Sequence, residues 1–374
     1  MIRIPESRDL ESLLEIADQF KPCGTVVGIE EFGSGNINGT FRVQVDAIDE
    51  PYFILQRINT HVFHQPRLIM QNMRRFTEHV RDRLQQQPGD DERRWEVLKV
   101  LTTPAGQDCW EDAAGNVWRG ISFIQDAQAF DTIQDSKHGQ EIGYGLGMFH
   151  DLISNLPASQ LADTLPGFHV TPSYLEQYDR VLAERQPPDF VEVQYGMEFV
   201  RDRRALAHVL ENAKDAGELQ LRLIHGDPKI NNIMIDNRTG QAISLIDLDT
   251  VKPGLVHYDI GDCLRSSCNP LGEETQDFDN VYFDVALCHD VLQGYLSVAK
   301  NFLTAHDYQY MFDCIRLIPF ELGLRFFADY LAGNVYFKVR YPEHNLARAL
   351  VQFRLTESIE AQETQIRRLI EGLR

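Results

Sequence analysis

Positive charge is what this chain of 374 residues has least of: 36 Lys and Arg stand against 56 Asp and Glu, a formal net charge of −20. Nucleic acid or an anionic membrane would repel such a chain unless a basic patch were segregated, and no long basic run occurs. Long hydrophobic runs are missing too. Nothing approaches the roughly 20 apolar residues of a membrane-spanning helix. The amino terminus, MIRIPESRDLESLLEIADQF, carries Glu and Asp where a secretory signal has a continuous apolar stretch, so a cytoplasmic protein is expected. Cysteine is sparse: Cys23, Cys109, Cys263, Cys268, Cys288 and Cys314 contain no C-x-x-C pair and no paired His spacing, which indicates neither a zinc centre nor a disulfide framework. Acidity does not exclude a nucleotide, which arrives with Mg²⁺ and needs only local donors. A small neutral acceptor is equally compatible.

The length allows two lobes with separate cores, since single cores stop growing near roughly 250 to 300 residues. Apolar residues Leu10, Leu13, Leu14, Ile16 and Ala17 fall at helical spacing, and β-branched and aromatic runs at 26–32, 40–45 and 52–58 then read as strands. The first two flank GSGNING, 33–39, a glycine-rich hairpin whose backbone N–H groups could lie along phosphates, with Gly33 and Gly35 permitting close approach and Thr40 adding a hydroxyl. Taken alone, such a sequence is also an ordinary turn. A helix is expected over about 65–84, where Glu78 is a possible ion-pair partner, then strands at 97–102 and 118–124. Beyond Asp126 the pattern is mainly helical: 139–153, 174–182, 199–213, 283–299 and 308–332, with Gly143 and Gly147 allowing close helix packing. The expected class is α+β, with a small antiparallel N-terminal lobe over 1–124 and a larger helical lobe over 125–374.

The stretch that carries chemistry is HGDPKINN, His225 to Asn232, followed by LIDLDTVKPGLVHYDIGD, ending at Asp262. Phosphoryl transfer needs an Asp near the acceptor hydroxyl and oxygen ligands for Mg²⁺ on the nucleotide phosphates. Asp227 lies between Gly226, which permits a tight turn, and Pro228, which biases it away from helix. Apolar runs at 233–235 and 242–246, joined by the polar turn 236–240, read as a hairpin whose ends present Asn232 and Asp247 at one edge as metal ligands, with Asp249 assisting. Each acid could alternatively cap a helix or decorate a loop.

These residues resemble the aminoglycoside phosphotransferase and choline kinase superfamily, with its H-G-D-x-x-x-x-N loop and I-D-x-D/E strand end. The resemblance implies a two-lobed protein-kinase-like fold, ATP and Mg²⁺ as cofactors, Asp227 as base, Asn232 and Asp247 on the metal, and Asp259 steadying the loop unless it is a helix N-cap. One departure is plain. The strand YFILQR should carry a phosphate-contacting Lys, but Gln56 stands there with Arg57 beside it. Either Gln56 hydrogen-bonds the phosphates without charge, or Arg57 or Lys229 supplies the positive group; strand neighbours face opposite ways, so Gln56 and Arg57 cannot both line one face.

More narrowly, GIEEFGSGNINGTF, YFILQRINT, WRGISFI, IDLDTVKPG and the stretch 323–349 are similar to the bacterial N-acetylhexosamine 1-kinases. That likeness implies phosphorylation of the anomeric hydroxyl of N-acetylglucosamine or N-acetylgalactosamine, with Asn36, Asp227, Arg325 and Tyr336 at the sugar. Two readings stay open at those positions: Glu321, Arg325 and Asp329 could form an exposed i, i+4 ladder, and Tyr336 could be core packing. The alternatives for the whole chain are a kinase of aminoglycoside, choline or homoserine, or a nucleotide-binding scaffold without catalysis. The expected partners are the small-molecule sugar and ATP, and no oligomeric state is indicated.

Overall fold

The computed structural model describes residues 7–21, 24–33, 37–86 and 93–374. Helix α1 (Ser7–Asp18) precedes strands β1 (Val26–Glu31), β2 (Gly39–Val45) and β3 (Tyr52–Ile58); helix α2 (Pro66–Gln86) and strands β4 (Val100–Leu101), β5 (Trp110–Glu111) and β6 (Val117–Ser122) follow. The strands form one antiparallel sheet in the order β1-β2-β3-β6-β4, with β5 also paired to β6. Period-two alternation sorts its faces. Phe53 and Leu55 of β3 pack with Leu13, Ile16 and Phe20 beneath α1, whereas Ile54 and Ile58 join Met70 and Met73 of α2. Gln56 therefore lies on the α2 face, and Arg57 is exposed on the opposite one.

After β6 come β7 (Ala127–Gln128), α3 (Ser136–Ile153), α4 (Thr171–Glu184), α5 (Val191–Arg203), α6 (Val209–Asp215), β8 (Arg222–Ile224), β9 (Ile233–Asp236), β10 (Ala242–Leu245) and β11 (Lys252–Gly254). The chain then runs through α7 (Val256–Ser267), α8 (Val285–Ala299), α9 (Ala305–Gln309), α10 (Met311–Ala332), α11 (His344–Ala361) and α12 (Glu363–Leu373). The expected hairpin is β9–β10, with β7 as a third strand, and β8 pairs with β11. Helices α3 and α8 touch through glycine: a Cβ on Gly143 would lie 1.8 Å from the Val291 carbonyl oxygen, and one on Gly294 1.9 Å from that of Gln140.

The helix expected over 199–213 is broken into α5, a 3-10 turn at Arg204–His208, and α6. That over 308–332 is divided at Tyr310, because Thr304 and Asp307 form a capping box that starts the separate short helix α9. Strand 97–102 shrinks to β4, and β5, β7, β8 and β11 are too short to leave a periodic signature in sequence. The interior is also less divided than length alone implies. One apolar cluster runs from Ile54, Met70 and Ile121 through Phe76, stacked on Phe149 at 5.2 Å, into the C-terminal helices; a smaller one lies beneath α1.

Candidate active site

The loop leaving β8 is fixed from several sides. The backbone N–H groups of His225 and Gly226 donate to the Asp259 carboxylate at 2.7 and 2.8 Å, and His150 Nε2 meets the same group at 2.9 Å. Asp259 is fully buried in the first turn of α7, whose N-cap is Leu255, so it anchors the loop and does not cap the helix. Gly226 has φ +86°, and a Cβ there would lie 2.8 Å from the Thr250 carbonyl oxygen, so glycine is required on both counts. The Gly226 carbonyl accepts from His169 Nε2 at 2.8 Å, while Nδ1 of that ring meets Glu321 at 2.8 Å. Burial pulls the His169 pKa down, but the Glu321 charge and both hydrogen bonds hold it above the usual imidazole value.

Asp227 projects from this braced backbone. Its Oδ2 pairs with Lys229 Nζ at 2.9 Å, and its carbonyl accepts from Asn232 Nδ2 at 2.7 Å. That bond turns the amide nitrogen of Asn232 inward and leaves its Oδ1 without a donor among the described residues. Ile246 N–H donates to the Asn232 carbonyl at 2.9 Å, and Leu245 pairs with Ile233, so the hairpin sets Asn232 beside Asp247 as its spacing implies. Asp247 is left-handed at φ +64°, a strained conformation for a non-glycine residue, and its carboxylate accepts no hydrogen bond among the described residues. Desolvation, then the charges of Asp249 and Asp227, push its pKa up to about 7 against the pull of Lys229 and Arg119.

A free amide oxygen and a free carboxylate amid excess negative charge suit a hard divalent cation. No cluster of three or more His, Cys, Asp or Glu among the described residues could hold a metal alone. The pair therefore fits Mg²⁺, which is commonly held by one or two protein groups and completed by substrate phosphates. Asp249, expected as a further ligand, is turned inward instead. It is 3 % exposed, and its two oxygens are taken by Arg119 and, at 2.6 Å, by Asn38 Nδ2.

On the sheet side, Gly33 is left-handed at φ +79° with open space around it, while Gly35 and Asn36 lie outside the described residues. Thr40 Oγ1 accepts from Gln56 Nε2 at 3.0 Å, and Gln56 Oε1 accepts two bonds from Arg119. Arg57, exposed on the far face, is not brought to this group. Lys229 is brought instead to Asp227, with Asp247 close enough to act on it, and the charge of Asp227 drives its pKa well above the usual lysine range. Sequence reasoning passed over Arg119 because only the register of β3 on β6, which sets Gln56 opposite Arg119, reveals it. His169 was likewise invisible, lying 57 residues from the carbonyl it holds.

Across Asp227 from the sheet, the ladder considered for α10 does not form. Glu321 is buried on His169 and Thr171, and Asp329 accepts the backbone N–H groups of Val335, Tyr336 and Phe337 at 2.8 to 3.0 Å. Arg325 is left with no ion pair among the described residues, its guanidinium 5.2, 4.9 and 5.5 Å from the ring centres of Phe168, Tyr174 and Phe337 and close enough to Asp227 to feel its charge. Tyr336 is 60 % exposed, which rules out core packing, and its ring meets Phe337 edge-on at 4.8 Å. Ser266 Oγ accepts from Ile230 N–H at 3.1 Å, against the loop that bears Asp227.

Residues 28–294 match the family model described as the phosphotransferase enzyme family. Among solved structures, an aminoglycoside phosphotransferase from Alicyclobacillus acidocaldarius is similar at 14 % identity and TM-score 0.63, over 99 % of this chain and 97 % of that one. Choline kinase from Cryptosporidium parvum is similar at 14 % identity and TM-score 0.60, over 97 % and 99 %. A spectinomycin phosphotransferase in complex with ADP and its drug aligns at 13 % identity and TM-score 0.55, over 94 % and 98 %. The architecture is the α+β, protein-kinase-like fold of these proteins.

Proposed function

The chain belongs to the phosphotransferase enzyme family, and on that premise we propose that it is an ATP- and Mg²⁺-dependent kinase of N-acetylhexosamines acting at the anomeric hydroxyl. The observation that carries the acceptor class is Arg325. A guanidinium without a carboxylate partner among the described residues, held between aromatic faces and near Asp227, repels cationic acceptors and offers its donors to neutral oxygen-rich ones. Nearby acids are largely spoken for: Glu321 is engaged by His169 and Thr171, and the charge of Asp262 is paired with Arg265 through Oδ1 at 2.8 Å, although its buried Oδ2 has no hydrogen-bond partner among the described residues. Choline, ethanolamine or an aminoglycoside would call for unpaired carboxylates at that place. The narrower sugar assignment rests on the sequence likeness to the N-acetylhexosamine 1-kinases, which implies Tyr336 and Asn36 at the sugar; of the two, only Tyr336 is among the described residues.

In this reading Asp227 orients the hemiacetal hydroxyl and accepts its proton late, a modest demand because that hydroxyl is more acidic than an ordinary alcohol. Lys229, tethered to Asp227, would meet the transferring phosphoryl group, and Thr40 would offer its hydroxyl to the remaining phosphates. Asn232 and Asp247 would hold the metal, which would neutralise charge on the phosphates. We take the lobe boundary at 124/125, beyond β6. Nucleotide turnover against a panel of N-acetylhexosamines, choline and aminoglycosides tests the proposal; turnover with the amines alone would reject it.

A further inference from the structure

The most unusual charge in the sheet is Arg119. It stands on β6 directly opposite Gln56 of β3, is 1 % exposed, and spends its guanidinium internally: Nε and one terminal nitrogen donate to Gln56 Oε1 at 2.9 and 2.6 Å, and the other terminal nitrogen pairs with Asp249. Two further links lead from this centre to the glycine-rich hairpin. Gln56 Nε2 donates to Thr40 Oγ1, and Asn38 bridges, its Nδ2 to Asp249 and its Oδ1 accepting Asn59 N–H at 3.0 Å. A continuous set of hydrogen bonds therefore joins the loop-bearing strands to the 3-10 turn Leu248–Thr250, which begins at Asp247.

Stability alone is a poor reason for such an arrangement. Taking a guanidinium and a carboxylate out of water costs several kcal/mol per ion, and packed apolar groups of the same volume commonly do as well. What the pair does that apolar residues cannot is fix a charge and a distance between two elements. The acid on α2 that could have served is elsewhere: Glu78 is exposed and bonded to Arg74 of its own helix at 3.0 Å.

We propose that Arg119 is a positioning residue of the nucleotide site: gripped by Gln56 and Asp249, it is the fixed positive charge that sets the start of β2, at Asn38 and Thr40, and Asp247 at the separation a metal-bridged nucleotide phosphate requires. It takes over the anchoring role of the lysine expected at residue 56, and Asp249 serves this charge and not the metal. The inference rests on the reading of the site as a nucleotide-binding phosphotransferase centre, but not on the identity of the acceptor.

The test is the affinity of the full-length protein for ADP with Mg²⁺, by calorimetry without acceptor, alongside thermal melting. Arg119→Gln combined with Asp249→Asn removes both charges and leaves no buried carboxylate unpaired. It should melt near the wild-type temperature yet bind Mg²⁺–ADP about tenfold or more weakly, and its KM for ATP should rise while that for the acceptor holds. Arg119→Gln combined with Gln56→Lys returns the charge from the opposite strand and should recover affinity to within about threefold of wild type. Binding by the neutral pair within about twofold of wild type, or an exchange variant no tighter than the neutral pair, would overturn the proposal. A wild-type protein that binds no Mg²⁺–ADP would overturn the nucleotide reading itself, and this inference with it.

Discussion

At the scale of single residues, the account stands on Asp227, Asp247 and Arg325, and each gives a separate measurement. Asp227→Asn removes the proton acceptor but keeps the shape, so turnover should fall by roughly 10² to 10⁴ with the melting temperature nearly unchanged. Near-normal turnover would remove the base. For Asp247 the sign follows from its raised pKa of about 7 against an ordinary 3.8. The folded, metal-free protein holds this proton more tightly than the unfolded chain, so the contribution to stability is fully present at low pH and is lost as pH rises toward 7. Metal binding must displace the proton, and the stabilisation by Mg²⁺–ADP should grow between about pH 6 and 8. A thermal-shift series that is flat over that window would contradict it. Arg325→Met should raise the acceptor KM by roughly tenfold or more, as expected for the loss of charge-assisted hydrogen bonds, and leave the KM for ATP near its starting value.

At the scale of elements, the catalytic hairpin and the helix pair beneath it explain why those residues stay in place. The hairpin was legible because its determinants are local: a polar turn between two apolar runs fixes β9 on β10, and Asn232 and Asp247 follow from the register. Gly143 and Gly147 likewise announced a close helix crossing. Gly143→Ala forces a Cβ onto the Val291 carbonyl, which only separation of α3 from α8 can relieve, at about 1 to 3 kcal/mol, read as a lower melting temperature. The loop anchor behaves differently. Asp259→Ala leaves two buried N–H groups unpaired, at about 1 to 3 kcal/mol each. Turnover should fall with it although Asp259 touches no substrate.

At the scale of the whole molecule, what escaped the sequence shares one property: it joins distant segments. Arg119 and Asp249 are 130 residues apart, His169 and Glu321 152, and neither pairing leaves a local pattern. The i, i+4 spacing of Glu321, Arg325 and Asp329 actively misled, because tertiary partners outcompete a surface ladder: Glu321 went to the catalytic loop and Asp329 to the amides at 335–337. The result is an Arg325 with no ion pair among the described residues and within reach of the Asp227 charge, and from it comes the proposal that the acceptor is a neutral sugar and not an amine. The most direct measurement is phosphorus NMR of the product formed from ATP with N-acetylglucosamine or N-acetylgalactosamine, choline and an aminoglycoside in parallel. The account predicts a new phosphomonoester on the anomeric carbon of the sugar and none on the amines; phosphorylated choline or aminoglycoside with unreacted sugar would contradict it.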